Sequence, residues 1–173
     1  LLGAGSFRDF SGGYSHPLIF LFLGAFILAL GIERTGLHRR IALAILTNVG
    51  TEGRRLIGGF MFIAAVLSMG MTNTSTTMML LPIALSVASV VSERDDLSDA
   101  HKRSFSIALL LGLAFGATIG GMATLIGTPP NALVAAFVAE RYGIEIGFVD
   151  WLAIGLPITC ILLPITWYVL THW

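Results

Sequence analysis

Two short polar segments interrupt the apolar parts of this sequence, and their residue types suit the binding of a small cation and an anion. The first is MTNTSTTMMLLPI, Met71 to Ile83, in which hydroxyl and amide side chains fill positions 72–77. The second is GTPPN, Gly127 to Asn131. Hydroxyl, amide and carbonyl oxygens are ligands for hard cations, whereas free N–H groups at the start of a helix attract anions.

Both polar segments are predicted to break a helix. Gly70 permits a turn, and Asn73 tolerates unusual backbone angles. Thr128 is disfavoured in α geometry because it precedes a proline, and Pro129 suits the first turn of a helix. We therefore expect one half-helix to end around Gly127 and the next to begin around Pro129. Paired breaks of this kind are typical of the central site of secondary transporters, with carbonyl groups for cations and N–H groups for anions.

The composition predicts an all-α membrane protein around these segments. The chain is 55% hydrophobic and 12% charged, against about 25% charged in soluble domains, and its mean hydropathy is +0.87. A net charge of zero suggests no nucleic-acid partner. Four stretches lack Asp, Glu, Lys and Arg: 17–32, 56–92, 104–139 and 151–171. Proton relays inside membranes usually need an ionisable residue, so this absence weakens proton coupling within the segment.

The two long stretches cannot each be one straight membrane helix. As a single helix, 56–92 would be about 55 Å long against a hydrocarbon core of about 30 Å. Eight of the ten basic residues lie in 33–55 and 93–103, which places both segments on the cytoplasmic side and 140–150 outside. The stretch between the basic segments then crosses an even number of times or not at all. A re-entrant hairpin and two full crossings both satisfy this condition.

The basic segment 33–55 also contains Leu37, Ile41 and Ile45 at four-residue spacing beside Arg39 and Arg40. This pattern fits a short helix in the membrane surface, and it equally fits a loop helix packed on the protein itself. The predicted organisation is a transmembrane helix plus an interfacial amphipathic helix in 1–55, a re-entrant hairpin in 56–92, a broken transmembrane helix in 93–142 and a transmembrane helix in 143–173.

At these residues the chain resembles the divalent anion:sodium symporter family, which carries dicarboxylates, citrate or sulfate. That family has two inverted repeats, each with a hairpin bearing a Ser-Asn-Thr signature and a broken helix bearing a Gly-Ser/Thr-Pro-Pro-Asn-like loop. The counterparts here are TNT, Thr72 to Thr74, and GTPPN. The sequence GGMATLIGTPPNAL is similar to the first repeat of the family and not to the second. The flanks PLIFLFLGAFILALGIERTGLHRRIAL and MMLLPIAL also resemble the family, so the resemblance covers nearly the whole chain.

The resemblance implies an elevator-like transporter with sodium as the coupling ion and no other cofactor. The implied sodium ligands are Ser68, Thr72, Asn73 and the backbone of Gly127. The implied substrate contacts are Asn73, Thr74, Thr128 and Pro129. The implied partners are a small di- or tricarboxylate or sulfate, membrane lipid and, for the full-length protein, a second copy in a homodimer.

Two departures from the family pattern affect these expectations. Thr72 stands where the signature has Ser, which keeps the hydroxyl and adds a methyl group. The second repeat is missing from the sequence, which begins at Leu1 and ends at Trp173, so we expect a part of a longer protein. A proton-coupled or exchanging relative and a non-transporting fragment remain alternatives. An enzyme is disfavoured, since the sequence has no nucleophile–base pair, metal cluster or nucleotide-binding loop.

Overall fold

The described part of the molecule is built from helices alone. The computed structural model describes residues 17–36, 40, 44, 52–93 and 97–172, and within these ranges it contains no strand. Among the described residues, three helices are long and apolar enough to cross a membrane: Asn73–Ser92, Asp99–Gly121 and Phe148–His172. The predicted all-α membrane fold is therefore confirmed. The helices are α1 (Pro17–Thr35), α2 (Gly53–Ser68), α3 (Asn73–Ser92), α4 (Asp99–Gly121), α5 (Pro129–Tyr142) and α6 (Phe148–His172).

The stretch 56–92 folds back on itself at the polar run. Helix α2 ends at Ser68 and α3 begins at Asn73, with the extended residue Thr72 as its N-cap. The Thr72 hydroxyl accepts a hydrogen bond from the Ser75 N–H at 3.2 Å, which satisfies one of the free amides of the first turn. The two helices form a hairpin whose tip is 69–72.

The second long stretch is also broken, but the break is longer than the sequence indicated. Thr128 is extended, with φ −148° and ψ 140°, and Pro129 starts α5 as predicted. The preceding helix α4 already ends at Gly121, so the expectation that it ends around Gly127 is wrong. Side chains bind four carbonyl groups around this end, those of Ile119, Gly121, Met122 and Thr124. These bonds satisfy carbonyls that a continuing helix would otherwise pair.

Glycines on one face of α4 allow it to lie directly against α2. A Cβ atom at Gly116 would be 2.6 Å from the Met61 carbonyl oxygen, and one at Gly120 would overlap the Ala65 carbonyl. Such close approach of small residues is common where membrane helices pack. Residues later in α4 contact residues later in α2, since Gly116 meets Met61 and Gly120 meets Ala65. The two helices therefore run parallel and begin at the same end.

Helix α6 runs antiparallel to this pair. Thr159 donates to the Ile119 carbonyl at 3.0 Å, and Trp167 donates through Nε1 to the Arg54 carbonyl at 2.9 Å. The core between these helices is apolar, with Phe60, Leu80, Leu109 and Leu113 at its centre. The common starting end of α2 and α4 agrees with the expectation that 33–55 and 93–103 lie on one side. The surface helix predicted after Leu37 lies outside the described residues, apart from Arg40 and Ala44.

Candidate functional site

The tip of the α2–α3 hairpin and the break between α4 and α5 meet in one place. Ser68 is fully buried at the end of α2, and its hydroxyl donates to Asn73 Oδ1 at 2.7 Å. The same Oδ1 atom lies against Gly121, where a Cβ would overlap it. The buried Gly127 lies against the Gly121 and Ser68 carbonyls, since a Cβ there would be 2.5 and 2.9 Å from their oxygens. The neutral oxygens of Ser68, Asn73 and Gly121 thus meet the backbone of Gly127 in one cluster.

The carbonyl groups around this cluster fall into two sets. The Ile119, Gly121, Met122 and Thr124 carbonyls each accept a hydrogen bond from a side chain of Thr159, Asn131 or Trp151. Within the described residues, no group donates a hydrogen bond to the Ser68 or Gly127 carbonyl. A cation would therefore displace no hydrogen-bond donor from these two carbonyls, and the Ser68 carbonyl adjoins the backbone of Gly127.

Thr72 and Thr74 occupy the start of α3 in different ways. The Thr72 hydroxyl caps the helix and also donates to Ser75 Oγ at 3.0 Å, so its position is fixed by α3. Thr74 is exposed in the first turn. Its hydroxyl and the free N–H groups of that turn are donors at the positive end of the α3 dipole.

The start of α5 has fewer donors than the start of α3. Thr128 is half-buried and its side chain makes no cap hydrogen bond, while Pro129 is exposed at the first helical position. Pro129 and Pro130 have no N–H, and the Asn131 N–H already donates to the Thr128 carbonyl at 3.1 Å. A negative ligand at this place would find more hydrogen-bond donors on α3 than on α5.

Several residues that shape this region were not identified from the sequence. Asn131 is buried and donates through Nδ2 to the Gly121 and Thr124 carbonyls at 2.9 and 2.8 Å. Thr124 is buried and donates to the Met69 carbonyl at the hairpin tip. The Thr76 hydroxyl is buried without a hydrogen-bond partner among the described residues. Two features of the sequence could have pointed to this region: the Asn that ends GTPPN, and the glycines at four-residue spacing in GLAFGATIGG, 112–121.

The level of the cluster along α6 can be read from its contacts. Gly155 lies against the Met122 and Ala123 carbonyls, and Thr159 binds the Ile119 carbonyl. Helix α6 has 25 residues, and the helical rise makes it about 37 Å long. Its N-terminus at Phe148 is about 10 Å from Gly155 along the helix axis. The break between α4 and α5 therefore lies beside the first half of α6, from Trp151, about one turn from the helix start, to Thr159.

Comparisons with known proteins show which transporters the chain is similar to. A profile of the citrate transporter family matches residues 1–172. The chain is 39% identical over 167 residues to the sodium-dependent dicarboxylate transporter SdcS of Staphylococcus aureus strain USA300, covering 94% of this chain and 32% of that protein. The same transporter from strain NCTC 8325 matches with the same identity and coverage.

The chain spans about a third of the length of the curated relatives that it matches. The resemblance to a sodium-dependent anion transporter family is confirmed by these matches. The three apolar helices agree with an integral, multi-pass membrane protein. On this basis, the chain belongs to the citrate transporter family.

Proposed function

We propose that this chain is the N-terminal repeat of a sodium-coupled transporter of small divalent anions such as dicarboxylates, citrate or sulfate. The observation that carries the proposal is the cluster of Ser68, Asn73 and Gly127, in which the Ser68 hydroxyl donates to Asn73 Oδ1 and the Ser68 carbonyl adjoins the backbone of Gly127. The similarity to a sodium-dependent dicarboxylate transporter supports both the coupling ion and the class of substrate.

The cluster has the chemistry of a site for a hard monovalent cation. Its oxygens are neutral, so the cation would keep its charge and leave the site net positive. The Ser68 hydroxyl now donates to Asn73 Oδ1, and it would rotate its proton away when both oxygens turn to sodium. Thr72 would contribute its backbone or the free lone pair of its hydroxyl while it continues to cap α3.

The anion would bind beside the sodium ion, where its charge is compensated. The Asn73 side chain carries an acceptor and two donors, so its Oδ1 can bind sodium while its Nδ2 donates to a carboxylate. Thr74 and the first-turn N–H groups of α3 supply further donors, and Thr128 and Pro129 border the site from α5. Because no charged side chain takes part, sodium would have to bind before the dianion binds well. This order couples the two fluxes.

The depth of the cluster supports a re-entrant hairpin in preference to two full crossings. The tip of the α2–α3 hairpin adjoins Gly121, and the residues on either side of Gly121 contact α6 between Trp151 and Thr159. Non-helical backbone at membrane depth is tolerated where it is buried in protein or lines a polar cavity. In the complete transporter, an inverted second repeat would close the other side of the anion, and elevator-like movement would carry the site across the membrane. A homodimer of the complete protein fits the same proposal.

Uptake by proteoliposomes that contain the complete transporter tests this function. Radiolabelled succinate, as a dicarboxylate, should accumulate when an inward sodium gradient is imposed. An inward proton gradient without sodium, and preloading with unlabelled succinate without any cation gradient, are the two controls. Accumulation driven by protons alone would favour a proton-coupled relative, and accumulation only after preloading would favour an exchanger. No transport under any of the three conditions would favour a non-transporting protein.

A further inference from the structure

A chain of hydrogen bonds joins the two broken segments without using any of the proposed ligands' side chains. It starts on α5 at Asn131, whose amide holds the Gly121 and Thr124 carbonyls at 2.9 and 2.8 Å. It continues through the Thr124 hydroxyl, which donates to the Met69 carbonyl in the hairpin tip. Asn131 and Thr124 are both buried, with 7% and 5% of their surfaces exposed, so water does not compete strongly for these bonds.

The end points of this chain lie next to the open carbonyls of the cation cluster. Met69 directly follows Ser68 in the sequence, so the Thr124–Met69 bond fixes the peptide unit beside the Ser68 carbonyl. On the other side, the Thr124 carbonyl accepts the Gly127 N–H at 3.3 Å. One threonine is thus bonded to the neighbours of both oxygens that remain free for sodium.

We propose that Thr124 is a positioning residue for the cation site, which fixes the separation of the Ser68 and Gly127 carbonyls through its hydroxyl and its own carbonyl. This inference rests on the proposed function. Thr124 touches neither sodium nor the anion in this arrangement. It acts by pre-organising the two carbonyls, so its loss should weaken sodium binding and leave the transport step intact once sodium is bound.

The test is the sodium concentration that gives half-maximal succinate uptake in proteoliposomes of the complete transporter. Thr124→Val keeps the shape and removes the hydroxyl, and it should raise this concentration about five- to tenfold while the maximal rate at saturating sodium is retained. Thr124→Ser keeps the hydroxyl and should restore the wild-type value. The matched control is Thr118→Val on α4, because the Thr118 hydroxyl is exposed and bonds only within its own helix, to the Ala114 carbonyl.

A second measurement reports on the hairpin tip itself. Gly70 is exposed and has space for a side chain, so Gly70→Cys gives a single thiol at the tip once Cys160 and every other cysteine of the complete transporter are replaced by Ser. Sodium should slow the reaction of this thiol with maleimide in the parent, and Thr124→Val should shift that protection to higher sodium by the same factor as in uptake. If Thr124→Val does not reach the membrane, Thr124→Ala serves in both measurements.

The outcomes separate the two proposals. A wild type whose uptake ignores sodium overturns the proposed function itself. A sodium-dependent wild type with an unchanged half-saturating sodium concentration in Thr124→Val overturns only the positioning role. That role is also overturned if Thr124→Ser behaves like Thr124→Val, or if neither hydroxyl-free variant reaches the membrane while Thr124→Ser does, since the bond would then serve folding.

Discussion

Asn73 is the residue at which the hairpin, the break and the proposed chemistry coincide. Its Oδ1 accepts the Ser68 hydroxyl at 2.7 Å and lies directly on Gly121. An amide is suited to this place because it presents a cation ligand and an anion donor from one rigid plane. Ser68 and Gly121 determine where that plane lies, so the residues around Asn73 are as informative to change as Asn73 itself.

Replacing Gly121 by Ala should abolish sodium-driven uptake, because the added methyl group would overlap Asn73 Oδ1 and displace it from Ser68. The matched control is Gly70→Ala, where the methyl group would meet no atom within 4 Å. Both variants are compared with the parent for uptake and for the amount of protein in the membrane. Undiminished uptake by Gly121→Ala would show that the observed position of Asn73 is not required for transport.

Thr72 gives a prediction about stability that is separate from transport. Its hydroxyl caps α3 through the Ser75 N–H, so Thr72→Val should lower the stability of the protein by about 1 kcal/mol. Thr72→Ser keeps the cap and restores the residue usual in the resembled family, and it should be nearly neutral in both stability and uptake. Thermal unfolding in detergent measures the first effect. Equal unfolding temperatures for the Ser and Val variants would contradict the capping role.

At the scale of elements, the hairpin and the broken helix are held together by backbone contact between α2 and α4. Gly112, Gly116 and Gly120 face α2 and have no side chains, so nothing on this face of α4 holds the two helices apart. The contact is continuous from the middle of both helices to the cluster, so α2 and α4 are expected to move as one body. The cation site is built where this contact ends.

Replacing a glycine of the α2–α4 contact by a larger residue should destabilise the protein, even though none of the proposed ligands is changed. Gly116→Ala would place a methyl group 2.6 Å from the Met61 carbonyl oxygen, and overpacking of this kind typically costs about 1–3 kcal/mol. Gly24→Ala on α1 is the control, since nothing lies within 4 Å of its added methyl group. Size-exclusion chromatography after heating shows the effect. An unchanged melting profile for Gly116→Ala would mean that the helices can separate without cost.

The elements were predictable from the sequence where one local rule decided them. Proline at 129 and the residue before it determined the start of α5, whereas the cap that Thr72 gives to α3 was not predicted. The end of α4 was not predictable, because it depends on side chains that reach back from Asn131 and across from Thr159 and Trp151. The family resemblance predicted that Ser68, Asn73 and Gly127 lie close together. The hydrogen bond from Thr124 to the Met69 carbonyl was not predictable, because it depends on how the helices pack.

For the whole molecule, the parallel run of α2 and α4 gives an expected orientation in the membrane. Gly53 at the start of α2 lies against Phe105 near the start of α4, so the described basic residues of 52–55 and 97–103 lie at one end of these helices. The positive-inside rule predicts that this end is cytoplasmic. The acidic segment 140–150 would then face outward, beside the N-terminus of α6.

Single cysteines test this orientation in intact cells. In a Cys160→Ser background, a cysteine at the exposed position Glu93 should be labelled by an impermeant maleimide only after the cells are opened. A cysteine at the exposed position Glu145 should be labelled in intact cells. Labelling of both cysteines from the same side would remove the basis for the re-entrant hairpin, because the placement of 93–103 on the cytoplasmic side and of 140–150 outside would be wrong.

The proposed mechanism is tested most directly by the initial rate of succinate uptake as a function of sodium concentration, in wild type and in Asn73→Ala. The measurement uses proteoliposomes of the complete transporter, with potassium replacing sodium to keep the ionic strength constant. Wild-type uptake should rise from background to saturation with sodium, and Asn73→Ala should stay at background at every concentration, because it lacks both the cation ligand and the anion donor. Wild-type-like uptake by Asn73→Ala, or wild-type uptake that does not change with sodium, would contradict the mechanism.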